Sequence, residues 1–168
     1  MPFDLSCRLW PDHTKRFFAG KALRPLKQRG PHCVSTTLAM LTGAEPECFQ
    51  GRVNTQDPAS WSEALREWGM KLAYCPTDVR RLRFYLPELL ALDDLFTLSY
   101  YTPGRGRSIL ANPDADGWVC GSHIVILHRD RIFDPQSGDV TAARDHGCLH
   151  LHTKRIFRVV PADHPRGL

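Results

Sequence analysis

The sequence predicts an α+β fold in a single domain spanning residues 1–168, with helices first and an antiparallel sheet second. Helix-like patterns with small or amphipathic spacing are confined to residues 27–94, the helical half. Strand-like runs separated by turn-rich stretches follow over residues 95–160, the sheet half. An irregular segment, 1–26, precedes them, and we expect the last residues, 161–168, to form a loose tail.

Length and composition fit one globular domain. Of the 168 residues, 42% are hydrophobic and 24% are charged, enough to bury a core without disulfides or metal. No apolar run is as long as a membrane span, the N-terminus lacks the layout of a secretory signal, and the six cysteines contain no CxxC pair. We therefore expect a cytoplasmic protein with free thiols and no membrane contact.

The charge pattern argues against nucleic acid as a partner. The formal net charge of +4 arises from 22 Lys and Arg against 18 Asp and Glu. The basic residues occur in short scattered groups such as VRRLR and TKRIFR, which is the ordinary pattern of a solvated surface.

The first helix is expected to begin at Cys33. Residues 33–42 carry apolar side chains, among them Val34 and Leu38, between small residues, a pattern typical of a short buried helix. Gly43 can end this helix, because glycine readily adopts the left-handed conformation of a helix C-terminus. The Cys33 side chain then lies in the first helical turn.

Two further helical stretches are predicted. The capping-box spacing of Ser60 and Glu63 predicts a helix over residues 61–68. With Thr77 as candidate cap, the stretch 78–94 is also helical in pattern, and Pro87, which has no amide hydrogen, should kink or split it near Leu86. One bent helix and two short ones both satisfy this pattern.

Three runs predict the strands: LFTLSYY, WVCGSHIVILHRDRIFD and KRIFRVV. The middle run is long enough for a hairpin with a tight turn at Arg129 and Asp130. His123 then opens one strand and Asp134 ends the next. Both residues should lie at the same end of the hairpin as near cross-strand neighbours.

Cys33, His123 and Asp134 form a candidate catalytic set. A thiol attacks an acyl carbon as thiolate, and the unpaired amides and aligned dipoles of a helix N-terminus stabilise that anion. Asp134 can accept a hydrogen bond from one nitrogen of His123 while the other nitrogen faces Cys33. Gln28 offers an amide NH₂ that, with the Cys33 backbone N–H, can donate to a developing oxyanion.

Three residues near this set are candidates for substrate binding. His32 precedes Cys33, and Ser122 precedes His123. Trp118 stands in a glycine-bounded approach to His123, where its ring can shield the imidazole or form a wall of the site.

The other histidines offer alternatives. His128 is a rival base, although alternation along the strand turns it to the face opposite His123. A second cluster consists of side chains at alternate positions of the sequence. In an extended strand these side chains would share one face and form a candidate zinc or copper site: His146, Cys148, His150 and His152. Such a row spreads over about 20 Å, too far for one tetrahedral ion without a bend. We expect no metal or other cofactor in the catalytic set.

The motifs resemble the papain-like cysteine peptidases, closest to the bacterial double-glycine peptidase-like group that includes bacteriocin-leader peptidases. The likeness lies in Gln28 and Cys33 at a helix start and, far downstream, in SHIVIL and IFDPQSG. It covers about residues 27–43 and 121–138. The family implies a papain-like fold, in which a helical half carrying the cysteine packs on a small antiparallel sheet carrying the histidine.

The resemblance also implies roles and a substrate. Cys33 is the nucleophile, His123 the base, Asp134 the residue that orients His123, and Gln28 part of the oxyanion hole. The substrate is a protein or peptide, with a Gly-Gly site as one option, and the reaction is cleavage of a peptide or isopeptide bond. Val34 departs from the glycine that many members have after the cysteine.

Three alternatives use the same sequence differently. Transfer of the acyl group to an amine, as in a transglutaminase, needs the same four residues. A catalytically silent module would bind a peptide in the same cleft, and a metal sensor would use the cluster over residues 146–152.

Overall fold

The computed structural model describes residues 9–102 and 121–168. It is an α+β fold with a six-stranded antiparallel sheet, so the predicted class is confirmed. The helices are α1 (Cys33–Thr42), α2 (Pro58–Leu65) and α3 (Leu86–Leu92). The strands are β1 (Met70–Cys75), β2 (Leu95–Tyr101), β3 (Ser122–His128), β4 (Arg131–Phe133), β5 (Val140–Ala142) and β6 (Thr153–Pro161).

The sheet order is β1-β6-β2-β3-β4-β5, and both faces of the central strands are buried. Along β3, Ile124 and Ile126 belong to one hydrophobic cluster, which includes Leu38 of α1. Val125 and Leu127 belong to a second cluster, which includes side chains of α3. Burial on both faces explains why β3 reads as a continuous apolar run. It also packs the cysteine helix directly on the strand that begins with Ser122 and His123.

The predicted hairpin is confirmed. β3 and β4 pair with His128 opposite Arg131, which leaves Arg129 and Asp130 as the turn. Pairing stops where Ile126 faces Phe133, so the first residues of β3 extend past the end of β4. The N-terminus of α1 lies beside these first residues of β3, because Cys33 interacts with His123.

Helix α1 matches its prediction, whereas α2 begins earlier than expected. Gly43 ends α1 in the left-handed conformation, with φ of 81°. Helix α2 begins at Pro58, and the side chain of Asp57 accepts a hydrogen bond from the Ala59 amide. The predicted capping box at Ser60 is therefore wrong, because Asp57 already fills the cap position one turn earlier.

The third predicted helix is divided. Residues 82–84 form a separate 3₁₀ turn, and residues 78–81 are not helical. Pro87 lies in the first turn of α3, where its missing amide hydrogen breaks no helical hydrogen bond. Pro87 thus helps to start α3 instead of kinking a longer helix.

The boundary between a helical half (27–94) and a sheet half (95–160) is wrong, because β1 lies within the former. β1 pairs antiparallel with β6, from Met70 opposite Pro161 to Cys75 opposite Ile156. The short strand β5 was also not predicted. Strand β1 is buried along most of its length and so shows no alternation, and its partner β6 is distant in sequence. Strand β5, with three residues, is too short to show a period of two.

The two ends of the chain differ from each other. Residues 9–26, the described part of the predicted irregular segment, contain neither helix nor strand. The last residues, 161–168, are not a loose tail: the Leu168 amide donates to the Leu72 carbonyl at 2.9 Å, and the Ser62 hydroxyl donates to the Leu168 carbonyl at 3.2 Å. In the described part of the chain, no helix has the length and apolar character needed to span a membrane.

Candidate active site

Cys33 is the first residue of α1 and is half-buried. His32, directly before it, has non-helical backbone angles and makes no side-chain hydrogen bond to the first turn. The first amides of a helix have no intrahelical acceptor, so those of Cys33 and its neighbour remain available for an anion. The thiol therefore lies where a thiolate or an oxyanion is stabilised by backbone donors.

His123 lies at the start of β3 and is buried, with 5% of its surface exposed. Its Nε2 is 2.8 Å from Oδ1 of Asp134, and the ring of Tyr100 packs edge-on against it at 5.7 Å. The expected contact between His123 and Asp134 is thus present. Since Nε2 is taken by the carboxylate, Nδ1 is the nitrogen left for Cys33.

The protonation of His123 is governed by both neighbours. Burial disfavours the charged ring and would lower its pKa, but hydrogen bonds with Asp134 and Cys33, together with their negative charges, outweigh it. The net effect raises the pKa of His123 from 6.5 to about 9. At neutral pH the ring is then an imidazolium beside the Asp134 carboxylate.

Asp134 accepts three hydrogen bonds. Oδ1 accepts from His123 and, at 2.9 Å, from the Gln136 amide, while Oδ2 lies 2.9 Å from Nε2 of His146. Burial alone would raise its pKa, but the bonds from His123 and His146, and then that from the amide, hold the pKa of Asp134 well below its usual range. Asp134 therefore stays ionised across the range in which His123 titrates.

His146 is the site residue that the sequence did not reveal. The Cys148 amide donates to Nδ1 of His146 at 3.0 Å, so the hydrogen of a neutral ring is on Nε2, pointing at Asp134. The extended strand needed for a metal face is absent, because residues 143–145 and 147–150 form two 3₁₀ turns. Its position in the row of alternate residues made His146 a candidate metal ligand. Only the folded structure shows that its side chain faces Asp134.

The remaining members of that cluster are scattered. Cys148 is buried, and burial, reinforced by the charge of Asp134, raises the pKa of its thiol to about 12. His150 and His152 are exposed. Among the residues that the structure describes, no group of three His, Cys, Asp or Glu side chains is arranged to hold a metal ion.

Gln28 fastens the loop before α1. Its backbone amide donates to the Pro135 carbonyl at 2.7 Å, and its side-chain Nε2 donates to the Gly30 carbonyl at 3.0 Å. The first bond ties this loop to the residue after Asp134. The second leaves one side-chain N–H of Gln28 for another acceptor. Its role in an oxyanion hole stays a prediction.

Gly138 permits the close approach of these two loops. Its φ is +77°, and a Cβ atom there would lie 2.9 Å from the Cβ of Lys27. Any side chain at this position would be both strained and in collision with the loop. The glycine in IFDPQSG therefore allows the turn after Asp134 to pack against the segment leading to Cys33.

A pocket of about 370 Å³ opens beside the thiol and the imidazole. Its described lining includes Cys33, Val34, Trp61, Ser122 and His123. Of the predicted substrate-binding residues, Ser122 lines the pocket, His32 is not among its described lining residues, and Trp118 lies outside the described residues.

His128, the rival base, is engaged elsewhere. Its Nε2 donates to the backbone carbonyl of Ala19 at 2.9 Å, and His128 is not among the described residues that line the pocket. His128 therefore fixes the N-terminal segment.

No protein-family model and no curated protein sequence matches this chain. The function must accordingly be argued from the chemistry of the site.

Proposed function

We propose that this protein is a papain-like cysteine hydrolase that cleaves a peptide or isopeptide bond through a thioester on Cys33. The observation that carries the proposal is the position of His123, which is hydrogen-bonded to Asp134 through Nε2 and interacts with Cys33 at the start of α1. A nucleophile, a base and a group that orients the base are the parts that this chemistry requires. The resemblance to double-glycine peptidases suggests the substrate class.

In the acylation step, Sγ of Cys33 forms a bond to the substrate carbonyl carbon. The electron pair of the C=O bond moves to oxygen, where the Cys33 backbone N–H and the free N–H of Gln28 donate hydrogen bonds. Collapse of this intermediate breaks the C–N bond, and His123 gives its proton to the departing amine. A ring with a pKa of about 9 holds that proton at neutral pH.

In the deacylation step, neutral His123 takes a proton from water as the water oxygen attacks the thioester carbon. The C–S bond breaks, the acid product leaves, and the proton on His123 restores the starting pair with Cys33. An amine in place of water would give acyl transfer through the same steps. Asp134 holds the His123 ring through both steps.

The proposal includes a cytoplasmic location. Four described cysteines are free, namely Cys33, Cys48, Cys75 and Cys148. A reactive thiol is best preserved in a reducing compartment.

The test is site-mapped labelling with an electrophilic peptide probe ending in Gly-Gly, alongside iodoacetamide, at mildly acidic pH. Cys48 is exposed and Cys33 only half-buried, so simple accessibility favours Cys48 as the faster site. We expect one adduct on Cys33, absent from Cys33→Ala, strongly reduced in His123→Ala, and unchanged in Cys48→Ala. Labelling of Cys48 at an equal or higher rate would contradict the proposal and favour the silent peptide-binding module.

A further inference from the structure

Two basic side chains line the pocket beside the candidate nucleophile. Lys154 and Arg155 are neighbours in sequence, are both half-buried, and share the pocket with Cys33 and His123. No Asp or Glu is among the described lining residues. The pocket next to Cys33 is therefore cationic.

A β-bulge directs both side chains to the same place. Ser99 of β2 faces Arg155 of β6, but the next residue, Tyr100, faces Thr153, so Lys154 is an extra residue with no partner on β2. In a regular strand, adjacent side chains point to opposite faces. A bulge interrupts that alternation and re-aims a side chain, and bulges are common beside active sites. Here the bulge is the feature that lets two consecutive cations line one pocket.

Among the described residues, neither cation forms an ion pair with an Asp or Glu side chain. Nζ of Lys154 donates to the Ser122 hydroxyl at 3.2 Å and lies 5.9 Å from the ring centre of Tyr101, both neutral groups. Burial lowers the pKa of Lys154 and the charge of Arg155 lowers it further, while Cys33 acts in the opposite direction, as a bound anion would. By contrast, buried Arg158 elsewhere in the sheet is fully paired with Asp94.

We propose that this pocket binds a carboxylate of the substrate, next to the carbonyl group that Cys33 attacks. Lys154 and Arg155 supply the charge, and the hydroxyl of Ser122 keeps the Lys154 ammonium oriented. Trp61 and Val34 supply an apolar wall for the rest of the substrate residue that carries this carboxylate. The catalytic context rests on the proposed function, but carboxylate binding itself does not require a reactive Cys33.

The test uses Cys33→Ala protein and three ligands of the same size: N-acetylglutamate α-amide, N-acetylglutamine and N-acetylglutaminamide. They carry a side-chain carboxylate, a terminal carboxylate and no charge, respectively. Binding is followed by NMR from the amide signals of Ser122 and Tyr101. We expect at least one acid to bind about tenfold more tightly than the neutral ligand, the effect of one charge-assisted hydrogen bond.

Variants assign the effect to the pocket. Lys154→Met and Arg155→Met should each remove most of the preference for the acid, whereas Arg83→Met, which deletes an exposed charge outside the pocket, should not. Preference for the first acid identifies an acidic side chain, and preference for the second identifies a chain terminus. Equal binding of all three ligands, or a preference that survives both pocket variants, would overturn the proposal.

Alkylation of proteins with native Cys33 separates this proposal from the proposed function. Iodoacetate and iodoacetamide differ mainly in charge. The rate of Cys33 alkylation by iodoacetate, divided by the rate with iodoacetamide, therefore shows whether the pocket attracts an anion. We expect the ratio of the iodoacetate rate to the iodoacetamide rate to fall in Lys154→Met, because dividing by the iodoacetamide rate cancels any change in the reactivity of Cys33 itself. If iodoacetamide does not select Cys33, only the role of Cys33 as nucleophile is refuted. Carboxylate binding is still decided by the NMR titration.

Discussion

Asp134 and Asp94 are both carboxylates with basic partners, but their surroundings differ. Asp94 is fully buried, accepts backbone hydrogen bonds from Phe17 and Phe18, and pairs with fully buried Arg158 at 2.7 Å. The Asp134 side chain keeps 13% exposure and is held by two histidines.

The partner residue decides what each pair can do. A guanidinium keeps its proton in proteins, so the pair of Asp94 and Arg158 is permanent. Arg158 also donates to the carbonyls of Asp12 and Lys15, which fastens the irregular N-terminal segment to the sheet. The imidazole of His123, whose pKa is about 9, can instead give up and regain a proton beside Asp134. One pair serves stability, and we expect the other to serve chemistry.

The largest expected effect is on reactivity. Removing the base in His123→Ala should reduce the rate of Cys33 labelling by the Gly-Gly probe about 10²–10⁴-fold, the usual contribution of general acid–base catalysis. Site-mapped mass spectrometry measures this rate.

His128→Ala is the matched control on the same strand. Its ring bonds only to backbone carbonyls of the N-terminal segment among the described contacts, so Cys33 labelling should stay near the wild-type rate. Equal losses in the two variants would show that the effect is structural and not catalytic.

Breaking the permanent pair should instead reduce stability. Arg158→Met leaves Asp94 buried without its cation and should lower the free energy of unfolding by about 3–5 kcal/mol, measured by urea denaturation. The double variant Asp94→Leu/Arg158→Met should recover part of that loss, because no unpaired charge remains. In the folded fraction, Cys33 should label at a rate close to that of wild type. A loss below about 1 kcal/mol would contradict the assigned role.

The next effect is a change in pKa. In the wild-type protein the His123 ring should titrate at about 9, observed by NMR of the ring protons. In Asp134→Asn the anionic partner is gone and burial still opposes the charge, so the pKa of His123 should fall by more than about one unit. Asp130→Asn, in the exposed turn of the same hairpin, should leave it unchanged. An unchanged pKa in Asp134→Asn would remove the electrostatic basis of the proposed pair.

This shift also sets the sign of a pH effect on stability. The pKa of His123 is higher in the fold than its ordinary value of 6.5. Its stabilising contribution is therefore complete below about pH 6.5 and is lost as the pH rises through about 9.

The features predicted correctly from the sequence are local ones. The helix at Cys33 with its Gly43 cap, and the hairpin joining His123 to Asp134, each depend on patterns within about fifteen residues. Strand β1 was missed because its partner, β6, lies about eighty residues away. Asp94 and Arg158 are also far apart in the sequence, and their pairing has no signature in spacing. Burial and partners of this kind are set by the whole fold.

Within the site, the role of His146 was likewise not predictable from the sequence. Substitution of His146 should have the smallest effect on labelling. It bonds to Asp134, not to the reacting atoms, so it is a positioning residue. His146→Phe should lower the rate of Cys33 labelling by the Gly-Gly probe about tenfold, the value of one hydrogen bond to a charged group. His146→Gln, which keeps an N–H donor, should restore part of the rate.

His150→Gln is the control, because His150 is exposed on the following 3₁₀ turn. A purely structural role would predict that His146→Phe lowers stability and leaves labelling of the folded protein unchanged, with no rescue by glutamine. Rescue would instead show that Asp134 needs a side-chain donor at position 146 to hold the His123 ring toward Cys33.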